Sequence, residues 1–180
     1  MTESIRTPRL ELIGATVKIL ESDLSNKKEL ARLLRAEIPA AWPPPLMDED
    51  VLRDFIRMCA DTSVSGFSTW YWVRADPVAA SRTLVGCGGV LPMEFAPDTV
   101  MLGYSVLDEF RNQGYATEAV RHLVPHVFSL PGIRRIAAAT YPDLGASIRV
   151  LEKTGFEKTD LPLSGTGAEE GTVSYILEKR

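Results

Sequence analysis

Arg111-Asn112-Gln113-Gly114-Tyr115-Ala116-Thr117 joins two runs of opposite periodicity. Before it, Val100 to Val106 has the composition of a strand. After it, from about Tyr115 to Phe128, the apolar positions Ala116, Ala119, Val120, Leu123, Val124 and Val127 recur on one face of a helix. A helix start exposes N–H groups with no partner inside the helix and carries a partial positive charge, and both favour a phosphate. Gly114 removes a side chain where backbone must approach an anion, and Ala116 is small for the same reason. Thr117 adds a hydroxyl, and Arg111 adds a cation suited to phosphate oxygens. The pattern predicts a pyrophosphate-binding turn. The plainer alternative is an ordinary strand-to-helix turn with a helpful glycine, because an R-x-x-G-x-A string is short and recurs by chance. Other phosphate motifs fit worse. G-x-x-x-x-G-K-[ST] does not occur, and Gly86, Gly88 and Gly89 lie in a strand pattern and do not make G-x-G-x-x-G.

Upstream, Ser68 to Val73 is aromatic and β-branched, and Thr83 to Leu91 reads as a second strand whose glycines predict a bulge or a close backbone approach. Pro92 to Thr99 turns the chain into Val100–Val106, expected to run antiparallel to the second strand. Downstream, Pro125 should bend or disturb the helix. Ile133 to Thr140 reads as a buried strand, parallel to the one before the helix because a helix connects them. A further helix spans about Gly145 to Lys153, ended by Gly155. Phe156–Thr159 and Thr172–Leu177 form a closing antiparallel pair, with a Gly/Ser/Thr-rich loop, Leu161 to Gly171, between them.

In the N-terminal half, Leu10, Leu12, Val17 and Ile19 alternate around Gly14 and suggest an opening strand or hairpin. A helix from about Ser22 to Glu37 follows, capped by Ser22 or Asp23 and stopped by Pro39. Three consecutive prolines, Pro43 to Pro45, favour a stiff extended segment. The next helix starts at Asp48 and buries Val51, Leu52, Phe55, Ile56 and Cys59.

The 180 residues are 45% hydrophobic and 24% charged with net charge −4, which is ordinary for a globular chain and suits one domain, 1–180. The absence of a long basic run argues against nucleic acid. No apolar run approaches the ~20 residues of a membrane span, and Met1 to Leu10 lacks the apolar stretch of a secretion signal. A cytoplasmic protein is expected. Cys59, Cys87, His122 and His126 have no zinc spacing, so no metal is expected, only two buried thiols and two surface or groove histidines.

Four blocks, in order, resemble the GNAT acyltransferases, in particular the branch of ribosomal-protein N-terminal acetyltransferases. They are Leu84-Val-Gly-Cys-Gly-Gly-Val90, Leu102-Gly-Tyr-Ser-Val106, Arg111 to Ala119, and Ala146 to Phe156. The similarity runs from about Thr7 to the C-terminus. It implies an α+β fold, a mixed, mostly antiparallel sheet flanked by helices, in which two parallel strands, about 100–106 and 134–140, splay apart. Acetyl-CoA or another acyl-CoA would be the acyl donor. Its pantetheine arm would pair with backbone near Ser105 and Val106. Its pyrophosphate would take N–H bonds from Gln113 to Ala116 (Tyr115 included), with Arg111, Asn112 and Thr117 lining the turn. The acceptor would be an amine of a peptide N-terminus or a small molecule, and the protein a monomer or homodimer.

Attack of an amine on the thioester requires a neutral amine, donors for the oxyanion and, for the thiolate, a proton. By the resemblance, the Val106 amide would serve the oxyanion. Ser147 matches the branch's helix serine and could donate a hydrogen bond to the thiolate, or it could bond its own helix start. Other expected positions depart from the pattern. Met101 stands where the branch often has a basic Glu, Leu151 where the family has a Tyr, and Leu144 where the branch tends to have an Asn. Glu94 and Asp98 could act as bases through water, although solvated loop charges are the plainer reading. Tyr104, Tyr115 and Tyr141 also lie near the expected cleft. Two explanations of the losses stay open: an α-amine acceptor that needs no dedicated base, or a non-catalytic acyl-CoA sensor. Acceptor recognition is expected from Glu37 to Met47, where Trp42 lines the site or anchors the core, and from Leu161 to Gly171 with Glu169 and Glu170. The Trp70/Trp72 strand could be core or interface.

Overall fold

A computed structural model describes residues 4–45, 47–60, 69–76, 80–160 and 171–179. Among these residues, eight strands and five helices follow the order β1 (Ser4–Arg6), β2 (Leu10–Gly14), α1 (Val17–Ser25), α2 (Lys27–Leu34), α3 (Glu49–Ala60), β3 (Thr69–Asp76), β4 (Ser81–Pro92), β5 (Thr99–Val106), α4 (Tyr115–Ser129), β6 (Arg135–Thr140), α5 (Gly145–Lys153), β7 (Glu157–Thr159) and β8 (Val173–Glu178). A single 3-10 turn, Asp108–Phe110, separates β5 from α4. The strands form one open, mostly antiparallel sheet in the order β1-β2-β3-β4-β5-β6-β8-β7, with β5 and β6 parallel. The chain groups into two compact units. The first comprises Met1–Gly89 and Tyr104–Ala119, the second Val90–Gly103 and Val120–Arg180.

In the first unit β2 pairs with β1 and β3, and β3 with β4, all antiparallel. The register of β3 on β4 shifts between Trp72↔Gly86 and Val73↔Leu84, leaving Val85 as the extra residue of a bulge. Trp70 and Trp72 are buried, at 2% and 0% exposure, so this strand is core and not an exposed interface. The expected single helix from Ser22 is two helices. Val17 and Ile19 belong to α1, not to a strand, because the Thr16 side chain accepts from the Ile19 N–H and starts the helix there. Asn26 closes α1 through its N–H to the Ser22 carbonyl and opens α2 by accepting from the Glu29 N–H. Arg35, in the left-handed conformation, ends α2 ahead of Pro39.

Ser22 and Asp23 are therefore buried inside α1 and are not caps. The Asp23 carboxylate accepts from Trp42 Nε1 and from the Tyr71 hydroxyl, each at 2.8 Å, and pairs with Lys27. Trp42 is 6% exposed and tilts against Tyr71, so it anchors core packing. Around it the chain is a series of turns, with Trp42 N–H to Pro39 O and Met47 N–H to Pro44 O, not an extended rod. Asp48 caps α3 through the Val51 N–H. Leu52 and Phe55 are the buried face of α3, while Val51, Ile56 and Cys59 are half-buried.

In the second unit β8 lies between β6 and β7, antiparallel to both. Helix α4 continues through Pro125. After α5, Phe156 N–H bonds the Leu151 carbonyl and Gly155 N–H the Glu152 carbonyl, around Gly155 at φ +92°. That is the paired pattern of a left-handed glycine cap, and the buried side chains of Leu151 and Phe156 close it. Among the described residues, no helix is long and apolar enough to cross a membrane.

Candidate active site

The first unit carries the turn singled out by its sequence. The 3-10 turn after β5 leads to Asn112 at φ +59° and Gly114 at φ +83°, both left-handed, and these reverse the chain into α4. The Gly114 carbonyl accepts the first helical bond, from Glu118 N–H at 3.0 Å. The amides of Tyr115, Ala116 and Thr117 thus precede the helical ladder, at the positive end of a helix 15 residues long. Arg111, Asn112, Gln113 and Gly114 are exposed, Ala116 and Thr117 half-buried, and Tyr115 buried. Arg111 Nε donates to the Val106 carbonyl at 3.3 Å, and its guanidinium pairs with Asp108 at 2.8 Å. Gln113 Nε2 donates to the Glu109 carbonyl at 3.0 Å. These bonds tie the turn back to the end of β5 and to the 3-10 turn.

Val106 is buried and Ser105 half-buried. A β-carbon built on Gly86 would stand 2.6 Å from the Ser105 carbonyl oxygen and 3.2 Å from Val106 Cα. The glycine-rich β4 therefore meets the end of β5 more closely than any other residue would allow.

The second unit holds the remaining candidates. β5 and β6 pair at Thr99↔Arg135, Val100↔Ile136 and Met101↔Ala137, and β5 runs on for five residues beyond this pairing. Met101 packs with Met93, Ala96 and Ala137 in an apolar cluster. Leu151 is 1% exposed and part of the core. Ser147 is half-buried in the first turn of α5, its N–H donating to the Leu144 carbonyl at 2.9 Å. Leu144 is half exposed. Asp98 lies half-buried in the turn before β5 and is ion-paired. Arg135 donates to it at 2.7 Å and Thr99 at 3.0 Å, and these bonds hold its carboxyl below the usual range. Glu94 is exposed, as are Tyr141 at 38% and Phe95 at 78%. Cys87 is buried and Cys59 half-buried; burial pushes the Cys87 thiol well up. Residues 161–170, with Glu169 and Glu170, where an acceptor-binding loop is expected, lie outside the described residues, as does Leu46.

A family model described as an acetyltransferase (GNAT) domain matches residues 21–157. The chain belongs to the GNAT acetyltransferase family. Among its relatives is the FsC-acetyl coenzyme A-N(2)-transacetylase of Aspergillus fumigatus, 27% identical over 98% of this chain and 76% of that protein. Similar solved structures include RimL, the ribosomal L7/L12 alpha-N-protein acetyltransferase in complex with coenzyme A. It covers 98% of both chains at 17% identity with TM-score 0.64. An acetyltransferase from Agrobacterium tumefaciens covers 99% of this chain and 96% of its own at 16% identity, also with TM-score 0.64. These two share the fold. As a GNAT member the chain is an acetyl-CoA-dependent N-acetyltransferase.

The turn suits such a donor chemically. Amides that precede the helical ladder, a glycine whose φ most side chains rarely adopt and the neighbouring Arg111 are groups of the kind that favour an anion. A residue missed in the sequence lies against this turn. Arg9 Nη2 sits 3.3 Å from the position a β-carbon on Gly114 would take. No local pattern could have revealed it, since Arg9 and Gly114 meet only through the fold.

Proposed function

We propose that the acetyltransferase acts on an α-amino group, of a peptide N-terminus or of a small molecule. The observation that supports this is the apolar character of Met101 and Leu151, the two positions that resemble the family's acid–base sites. A thioether packed against Met93 and Ala137 and a leucine in the core move no proton. An acceptor that is already neutral does not need a base at Met101, and the thiolate can leave without an acid at Leu151 by taking up the proton the attacking amine loses. At pH 7.5 roughly a third of an α-amine is neutral, against about 0.1% of a lysine, from reference pKa values near 7.8 and 10.4. That difference of more than a hundredfold replaces much of what a general base contributes. The relative from Aspergillus, whose name specifies an N(2) position, is compatible with this class.

In the proposed arrangement the acyl donor supplies a thioester carbonyl. The amides of Gln113 to Ala116 receive its pyrophosphate, with Arg111, Asn112 and Thr117 around them. Backbone near Ser105 and Val106 aligns the pantetheine arm, and the Val106 N–H faces the developing oxyanion. Ser147 donates a hydrogen bond to the departing thiolate, an assignment carried by the motif match. Steady-state rates with free-N-terminus peptides and with lysine peptides blocked at the N-terminus test the acceptor class. A preference for the α-amine is expected, with kcat/KM rising with pH through about 8. A preference for lysine, with activity still climbing above pH 9, would sink the proposal. Gly114→Glu places a carboxylate on the turn and should abolish coenzyme A binding in calorimetry.

A further inference from the structure

The turn between β1 and β2 brings Thr7 and Arg9 against the start of α4. Glu118, in the first turn of that helix, accepts from Arg9 N–H at 2.8 Å and Arg9 Nε at 2.7 Å, and its Oε1 lies 2.5 Å from the Thr7 hydroxyl. Arg9 continues past the carboxylate. Its Nη1 donates to the Gln113 carbonyl at 2.9 Å, its Nη2 faces Gly114, and its guanidinium lies 4.7 Å over the Tyr115 ring. One planar side chain therefore engages Gln113, Gly114, Tyr115 and Glu118 in succession, and these include three of the residues whose amides are assigned to the pyrophosphate. Thr7 is held in turn, its N–H bonded to the Leu10 carbonyl and its hydroxyl accepting from the Leu10 N–H.

We propose that Arg9 is a positioning residue for the pyrophosphate-binding turn, so that a side chain about a hundred positions upstream sets affinity for the phosphate-bearing part of the acyl donor. Its bond to Gln113 draws one carbonyl toward the guanidinium, and an amide plane whose carbonyl is held in this way is fixed in orientation. The cation lies beside the one residue of the turn that has no side chain. Glu118 keeps the guanidinium from swinging away, and Thr7 keeps Glu118 in place. A lysine would retain the charge but could not span from a carboxylate to a carbonyl with a rigid fork. This proposal rests on the proposed pyrophosphate role of the turn.

Acetyl-CoA and S-acetylpantetheine share the thioester, but only the first carries pyrophosphate. The experiment compares kcat/KM for both donors in the wild type, Arg9→Lys and Arg9→Met, with coenzyme A affinity from calorimetry. If Arg9 positions the turn, the preference for acetyl-CoA over acetylpantetheine falls about tenfold or more in both variants. That matches the loss of one charge-assisted bond. The loss appears in KM and in coenzyme A affinity, not in kcat. Equal losses on both donors, or an unchanged preference, overturn the proposal. A wild type with no preference for acetyl-CoA overturns instead the pyrophosphate reading of the turn, a separate result. Should Arg9→Met fail to fold, Thr7→Val provides the same comparison, with a smaller fall in preference expected because Arg9 keeps its own two bonds to Glu118.

Discussion

At Gly86 the spacing between two stretches of backbone leaves no room for a β-carbon. The Ser105 carbonyl oxygen would stand 2.6 Å away, and the Trp72 ring and Val106 Cα at 3.2 Å close the other sides. A backbone oxygen cannot rotate aside as a side chain can, so an added methyl must move β5 or tear the bulge at Val85. Gly86→Ala is expected to cost about 1–3 kcal/mol, the usual range for overpacking a tight site. It should also weaken coenzyme A binding, because Ser105 and Val106 are the residues displaced. Urea denaturation together with calorimetry checks both, and an unchanged midpoint would show that β5 yields without cost. The glycine cluster announced a bulge or a close approach in sequence, and the fold contains both. The partner of that approach was not legible, because pairing Gly86 with Ser105 requires knowing the register.

The same distinction separates the elements read well from those read badly. β3 to β6, α4 and α5 carry strong periodicity and end on glycines or charged turns, and their positions follow from local chemistry. The stretch Val17 to Leu34 does not. Its apolar residues suit one continuous helix as well as two, and Asn26 is tolerated inside a helix at modest cost. What decides for two helices is a pair of bonds at one residue, Asn26 N–H to Ser22 O and Glu29 N–H to Asn26 Oδ1. The break lets α1 turn Asp23 inward to Trp42 and Tyr71. A buried carboxylate in the middle of a helix is a poor guess from sequence, since its partners lie 19 and 48 positions away. The candidate site divides in the same way. The anion-binding turn is local and was legible, whereas the Thr7–Arg9–Glu118 clamp is not. At this scale Asn26→Ala should destabilise the chain by about 1 kcal/mol, the typical worth of an N-cap. Thermal unfolding measures it. A variant as stable as the wild type would mean that α1 and α2 are held by packing alone.

At the scale of the molecule, three carboxylates among the described residues are more acidic folded than unfolded. Glu29 is lowered to about 2, chiefly by its hydrogen bond from Arg32, against some opposing burial. Asp98 is lowered by its hydrogen bonds from Arg135 and Thr99. Burial raises Glu118, but the bonds from Thr7 and Arg9 outweigh it and the net shift is downward. The sign follows from linkage. A carboxyl with a depressed folded pKa contributes its stability fully above the unfolded value near 4, and loses it as pH falls through the folded value. Stability should therefore decline from about pH 5 toward about pH 2, with nothing from these groups changing near neutrality. Glu29 and Glu118 lie in the first compact unit and Asp98 in the second, so both carry acid-sensitive pairs. The boundary between the units falls within β4, within β5 and within α4. Dividing the chain there would break two strands and a helix internally, and helix and sheet ladders resist partial loss. We therefore expect one cooperative unfolding transition in calorimetry, as for a single domain spanning 1–180, its midpoint falling steadily below pH 5. Two transitions with different acid dependence would assign separate folding to the two units. A single transition that does not move with pH would mean that Glu29, Asp98 and Glu118 titrate alike in the folded and unfolded chain.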